Sequence, residues 1–309
     1  MKKKSRRVAL IQMASEKFPQ GCQAKALKLA QKAAQQGAQI ICLQELYRSR
    51  YFCEGYRHKN FELAENVNGP SREAFSKLAK KTKSVMIVPI FEKRAEGVYH
   101  NSALVLDADG SMRGLYRKMH IPDDPHFYEK FYFTPGDLGF QAFDTAYGKI
   151  GVLICWDQWF PEAARLTALA GAQILFYPTA IGWHHSETQT ARKAQLAGWK
   201  IVQQGHAVAN EVFVAVANRV GREKGLTFWG HSFVAGPFGD ILAEARESHE
   251  EILLADCDFS KIEEVRRHWP FLRDRRIDAY GSLTERFLND DPRSKKPKTR
   301  KGKKPVSCL

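Results

Sequence analysis

The sequence predicts an α/β protein, either one large mixed sheet or two packed sheets, with helices outside. Three observations predict it. Short apolar runs of strand length alternate with longer helical stretches along the chain. One pair of runs flanks an Asp109-Gly110 turn signal, so hairpins are mixed with helical crossovers. No fixed-period repeat and no linker interrupts this pattern before residue 289, so one domain is the economical organisation for 309 residues.

The elements follow in order. VALIQM (8–13) reads as a strand, and 21–37 as a helix rich in Ala, Lys and Gln that ends at Gly37. AQIICLQE (38–45) is the next strand and 71–82 the next helix. SVMIVPI (84–90) precedes the hairpin-like run 100–118. KIGVLIC (149–155) leads into a helix that Pro161 is suited to start, because a missing N–H costs nothing in a first turn. AQILFYP (172–178), a helix over 190–209, EVFVAVAN (211–218), HSFVAG (231–236) and EILLADCD (251–258) complete the pattern.

Hydrophobic content of 44% and charged content of 27% are those of a soluble globular chain, and no apolar run approaches the ~20 residues of a membrane span. The basic N-terminus followed by VALIQM is too short in its apolar part to be an export signal. It contains Gln12, and no small-residue cleavage site follows. The formal charge of +14 invites a nucleic-acid reading, but its location decides against a basic fold. Lys2, Lys3, Lys4, Arg6 and Arg7 crowd one end, and eight basic residues with one acid crowd 291–309, which leaves about +2 for the body. Residues 1–5 and 290–309 are therefore expected to be basic tails around a domain over 6–289, the second tail disordered. Loose contact with RNA, DNA or acidic lipid is open to such tails, and a solvated tail is the plainer reading.

The six cysteines form no CxxC pair, so they read as reduced thiols of a cytoplasmic protein and offer no zinc site. HIPDDPH (120–126) has metal-ligand residue types, yet its prolines favour a surface turn.

Three reactive side chains each stand where a strand-like run ends: Glu45 after IICLQ, Lys118 after GLYR and Cys155 after GVLI. In α/β folds ligand sites form at strand ends. Taken singly, these are a surface acid, a solvated lysine and a core thiol. Together they supply a proton acceptor, a cation and a nucleophile. A neutral thiol is a poor nucleophile, so Cys155 is expected to have its pKa lowered by the helix starting near Pro161 and by Lys118. Glu45 would take the thiol proton and return it to a leaving amine. Lys118, with the Trp156 backbone N–H, would stabilise an oxyanion.

CLQELY around Glu45, YRKMHIPDD around Lys118 and GVLICWDQWFPE around Cys155 resemble the three signatures of the nitrilase superfamily, the Glu-Lys-Cys carbon–nitrogen hydrolases. Their order fits, as do separations of 73 and 37 residues, and the resemblance runs from about residue 6 to 289. Further stretches (YPTAIGWH, QGHAVANEVFVAVANRVG, FWGHSFVAGPFGDIL) are similar to the branch of N-carbamoylputrescine amidohydrolases. The resemblance implies a four-layer αββα sandwich and a homodimer or larger homo-oligomer. It also implies hydrolysis of a terminal ureido group to putrescine, carbon dioxide and ammonia. Glu129 matches the family's second glutamate, with a part in substrate positioning, in proton transfer or in orienting Lys118. No cofactor and no metal is implied.

The substrate class can be argued separately. A carbamoyl amine ends in an ammonium, which calls for a carboxylate or an aromatic face. AIGWHHSETQ (180–189) supplies Trp183 and Glu187, and no Arg lies between Arg165 and Arg192 to hold a carbamoyl acid. Tyr51, Asp123 and Trp156 are further pocket candidates, each of which could equally be packing. Two alternatives stand beside this reading: a related carbamoyl or amide hydrolase such as a β-ureidopropionase, and a non-catalytic binding protein acting through its tails.

Overall fold

Successive residues along the strands of the first sheet face opposite sides, and the alternation separates two cores. The computed structural model describes residues 5–288, so the expectations for residues 1–4 and for the 290–309 tail lie outside the described residues. It divides into a body up to Phe271 and a separate segment from Leu272, whose described part holds a short 3-10 turn at Tyr280–Thr284.

In the body, one six-stranded sheet runs in the order Glu251–Asp258, Ser5–Gln12, Ile40–Leu43, Val85–Ala95, Val98–Leu106, Met112–Arg117. The second runs Ile241–Glu244, Phe233–Ala235, Phe213–Ala217, Ile174–Pro178, Gly148–Val152, Ala142–Thr145. Both are mixed. Three central strands of each pair in parallel and the outer ones join as antiparallel neighbours. Parallel neighbours need crossovers, supplied by helices α1 (Pro19–Gln35), α2 (Pro70–Thr82), α3 (Pro161–Leu169) and α4 (Gln189–Asn210). A fifth helix, α5 (Ser260–His268), follows the last strand.

Val8, Leu10, Ile40, Cys42, Val85 and Ile87 share a core with the second sheet, whereas Ala9, Ile11, Ile41, Leu43, Met86 and Val88 pack with α1 and α2. A period of two thus gives the first sheet one face for its partner sheet and one for helices. The second sheet is apolar on both faces, as its unbroken runs ILFYP and FVAVA require, and it packs Ala163, Ala164, Trp199 and Ala207 of α3 and α4. The result is the αββα sandwich. α1 approaches closely because its buried stripe is small: Cys22, Ala26, Ala30 and Ala33.

Two expectations shift at their ends. The 149–155 strand stops at Val152, because the Ile154 N–H is taken by the Asp157 carboxylate at 2.9 Å and a 3-10 turn begins at Cys155. The weakly patterned strands Ala142–Thr145 and Ile241–Glu244, the hairpin over 220–229 and helix α5 were not anticipated.

Candidate active site

Glu45, Lys118 and Cys155 meet because their strands end at the same edge of the sandwich, two from the first sheet and one from the second. Glu45 follows the Ile40–Leu43 strand and is fully buried. Its Oε1 accepts from Asn101 Nδ2 at 2.7 Å and from Lys118 Nζ at 2.9 Å, while Oε2 is buried without a partner among the described residues. Lys118, one residue past the Met112–Arg117 strand, also donates to Glu129 Oε2 at 2.6 Å. Glu129 Oε1 accepts from the Tyr51 hydroxyl at 3.0 Å. One buried ammonium therefore bridges two buried carboxylates, an arrangement tolerated only where hydrogen bonds replace the lost water.

The electrostatics are set by that bridge. Burial alone would discharge Lys118, but the carboxylates of Glu129 and Glu45 outweigh it and hold the ammonium well above its ordinary pKa. Glu129 moves upward because burial, and to a lesser degree the Glu45 charge, favour its neutral form against the pull of Lys118. The Cys155 thiol also moves up, driven first by burial and then by Glu45, with Lys118 opposing. This corrects the expectation of a lowered thiol pKa. The helix begun by Pro161 starts six residues on, and burial of the thiol dominates. Cys155 therefore rests as a thiol beside a carboxylate that can take its proton.

Its backbone is held at φ +44°, a left-handed conformation uncommon outside glycine. Asp157 fixes that turn. Its fully buried carboxylate accepts from the Ile154 N–H, from the His120 N–H at 3.0 Å and from the Tyr116 hydroxyl at 2.7 Å. Leu46, next to Glu45, is likewise left-handed, at φ +47°. Arg219, fully buried, donates to the carbonyls of Glu45, Leu46 and Ser49 and pairs with Glu223 at 3.1 Å.

A profile of the carbon–nitrogen hydrolase family matches residues 7–267, nearly the whole body. The chain belongs to that family. It is 47% identical over 265 residues to an N-carbamoylputrescine amidase of Oryza sativa subsp. japonica, covering 83% of this chain and 87% of the relative. It is 43% identical over 261 residues to a citrullinase of Francisella tularensis subsp. tularensis, covering 83% and 90%. In three dimensions it matches a carbon–nitrogen hydrolase of Helicobacter pylori G27 with a TM-score of 0.89 and 46% identity, covering 92% of this chain and all of that one. The chain is accordingly a hydrolase of carbon–nitrogen bonds.

A pocket of about 490 Å³ leads to Cys155 and Glu129. Both are buried, so they form its inner end, and the half-buried Asp124, His126, His184 and Glu187 form its outer end. Phe127, Trp156, Trp159 and Trp229 give it aromatic walls. Of the residues read from sequence, Trp156 and Glu187 line it. Tyr51 does not, standing behind Glu129. Trp183 is buried behind the wall, its ring 5.0 Å from that of Trp229 and its indole N–H bonded to the Arg192 carbonyl. Asp123 is exposed and Asp124 lines the pocket in its place. The two stand side by side in a short strand paired with Phe127–Tyr128, so they face opposite sides.

Sequence reasoning missed Asn101, Asp157 and Arg219. The polar His-Asn-Ser at the head of the apolar run ALVL was the signal available for Asn101. Asp157 sits inside the quoted Cys155 stretch, and only the turn shows that its carboxylate points inward. Nothing local marks Arg219. Among the described residues no helix is long and apolar enough to cross a membrane.

Proposed function

We propose that this hydrolase cleaves N-carbamoylputrescine to putrescine, carbon dioxide and ammonia, with Cys155 as nucleophile. The observation that carries the chemistry is the buried Lys118 ammonium clamped between Glu45 and Glu129 beside the thiol. Glu45 takes the thiol proton as sulfur attacks the ureido carbon. Lys118, with the Trp156 N–H, stabilises the oxyanion. Collapse passes the proton from Glu45 to the leaving putrescine nitrogen and leaves a carbamoyl thioester on Cys155. Glu45 then deprotonates a water that cleaves the thioester, and the released carbamic acid breaks down to carbon dioxide and ammonia. Glu129 is a positioning residue that holds Lys118, itself oriented by Tyr51. No step calls for a cofactor.

The substrate assignment is supported by the plant relative and by the pocket's charge. Its lining holds Asp124 and Glu187 and neither Lys nor Arg. Glu187 is partly committed, accepting from the His184 N–H at 2.9 Å and from the Gln195 amide. Asp124 has no ion pair among the described residues, and burial with the neighbouring Asp123 charge raises its pKa. Asp124 is therefore the stronger candidate for the substrate ammonium, with Glu187 beside it and the aromatic walls around the tetramethylene chain. The citrullinase relative keeps ureido amino acids in the comparison. We place the enzyme in the cytoplasm, a reading supported by the five described cysteines being free thiols. We also assign it a homodimer or larger assembly. That is supported by the exposed Leu166 and Leu169 of α3 and Ile201 of α4, and sedimentation would test it.

The test compares kcat/KM for N-carbamoylputrescine, N-butylurea, N-carbamoyl-β-alanine and citrulline. Wild type should prefer the first, and Cys155→Ala should hydrolyse none. Asp124→Asn should lose about tenfold or more on N-carbamoylputrescine and little on N-butylurea, which lacks the ammonium. Preference for either carbamoyl acid would overturn the substrate assignment, and activity in Cys155→Ala would overturn the nucleophile.

A further inference from the structure

Three side chains that the proposed reaction does not use converge at the outer end of the pocket. Ligand atoms of Glu54, His126 and His184 all lie within 4.8 Å of one another, although the first two come from separate turns and the third ends the short strand Gly182–His184. The imidazoles of His126 and His184 lie parallel, ring centres 3.6 Å apart. Among the described residues no hydrogen bond or ion pair joins Glu54 to either ring. Its partners are the Gly225 N–H at 3.0 Å and, more distantly, the Lys224 ammonium at 3.9 Å.

The surroundings hold the three in place. A Cβ on Gly225 would lie 2.8 Å from both Glu54 Oε1 and His184 Nε2, so the chain is bare where these two atoms approach. His184 Nδ1 is bonded to the Ser186 hydroxyl at 2.7 Å, which leaves Nε2 as the free ring nitrogen on the Glu54 side. His126 is held at φ +72°, a conformation unfavourable for a side chain of this size.

We propose that Glu54, His126 and His184 bind one first-row transition-metal ion of the zinc class. Two imidazoles and one carboxylate suit that class and leave a fourth position open. Donors about 2.1 Å from a tetrahedral ion stand roughly 3.4 Å apart, so loading needs the three ends to close by no more than about 1.4 Å. The ion would tie these two turns and the strand end together at the outer end of the pocket and compete with a cationic substrate there. The competition rests on the amine reading above, whereas the binding does not.

The test uses the untagged full chain carrying Cys155→Ala, so that the pocket thiol cannot ligate. Co²⁺ titration should show visible d–d bands that saturate at one equivalent without a thiolate charge-transfer band, and Zn²⁺ should displace the Co²⁺. Both His184→Ala and His126→Gly should weaken binding by about tenfold or more. His126→Gly also relieves the left-handed backbone, so lost binding with an undiminished melting temperature cannot be a folding defect. In the enzyme with Cys155 intact, Zn²⁺ should raise KM for the amine with kcat unchanged, and less so in His126→Gly. Unaltered affinity in both variants, a thiolate band, or no binding at about 0.1 mM free metal would overturn the site.

Discussion

Lys118 is the residue on which the site's charge balances. It carries one positive charge between two carboxylates in a fully buried place, so removing it strands both acids. Lys118→Ala should destabilise the fold by about 3–5 kcal/mol, the usual penalty for orphaning one side of a buried pair. The loss should depend on pH in a stated direction. Glu129 already sits above its ordinary pKa, and without the ammonium it loses the charge that opposes that rise. A carboxyl whose folded pKa exceeds its unfolded value binds its proton more tightly when folded, so its contribution is present at low pH and lost as pH rises through the folded pKa. Denaturant titrations of Lys118→Ala should therefore show a smaller deficit at pH 5.5 than at pH 8. Equal deficits would mean that the acids do not depend on Lys118.

At the level of elements, Glu45, Lys118 and Cys155 are aimed by strand ends and by the residues packed beneath them. Gly151 lies in the strand leading to Cys155, where a Cβ would sit 2.3 Å from Thr167 Cγ2 of α3 and 2.8 Å from Leu175 of the neighbouring strand. Gly151→Ala should cost about 1–3 kcal/mol by overpacking, and by shifting the strand should lower kcat more than it raises KM. A wild-type kcat in that variant would show that the turn at Cys155 holds itself. The strand before Lys118 is anchored differently. Arg117 bonds Glu92 through two nitrogens, at 2.6 and 2.9 Å, and reaches Asp137 at 2.8 Å. Hydrogen bonds from Arg117 and then Arg94 bring Asp137 down to about 2 from 3.8. A depressed carboxylate stabilises above its unfolded pKa and loses that contribution as pH falls through the folded one. Asp137→Asn should therefore flatten the fall in stability between about pH 4 and 2, measured by thermal melts across that window.

Across the whole molecule, the site is a joint between two sheets. Glu45 and Lys118 arrive on one and Cys155 on the other, with cross-ties holding them in register. Tyr116 of the first sheet bonds Asp157 in the Cys155 turn, and Arg219, past the Phe213–Ala217 strand, holds the carbonyls after Glu45. Arg219→Lys keeps the charge but loses the planar fork that serves those carbonyls and Glu223 together. It should destabilise by about 2–4 kcal/mol and lower kcat, because buried acceptors go unpaired where Glu45 is aimed. Wild-type stability and turnover in that variant would assign the aiming of Glu45 to its own strand.

Local pattern in the chain was enough for the order of the apolar central strands and of helices α1 to α4, and for the strand-end placement of Glu45, Lys118 and Cys155. Those are local properties, readable from periodicity and from the residue type that terminates an apolar run. The tertiary structure alone decided the surroundings of those residues. The direction of the Cys155 pKa depends on how deeply the joint is buried, and the pairing of Lys118 with Glu129 depends on a loop folding back onto the first sheet. The exchange of Asp123 for Asp124 depends on strand register, since one step along a strand reverses a side chain's face. Asn101, Asp157 and Arg219 escaped for the same reason. Each acts on a partner distant in sequence, 56 residues from Asn101 to Glu45 and 174 from Arg219 to it, and no local pattern records such a distance.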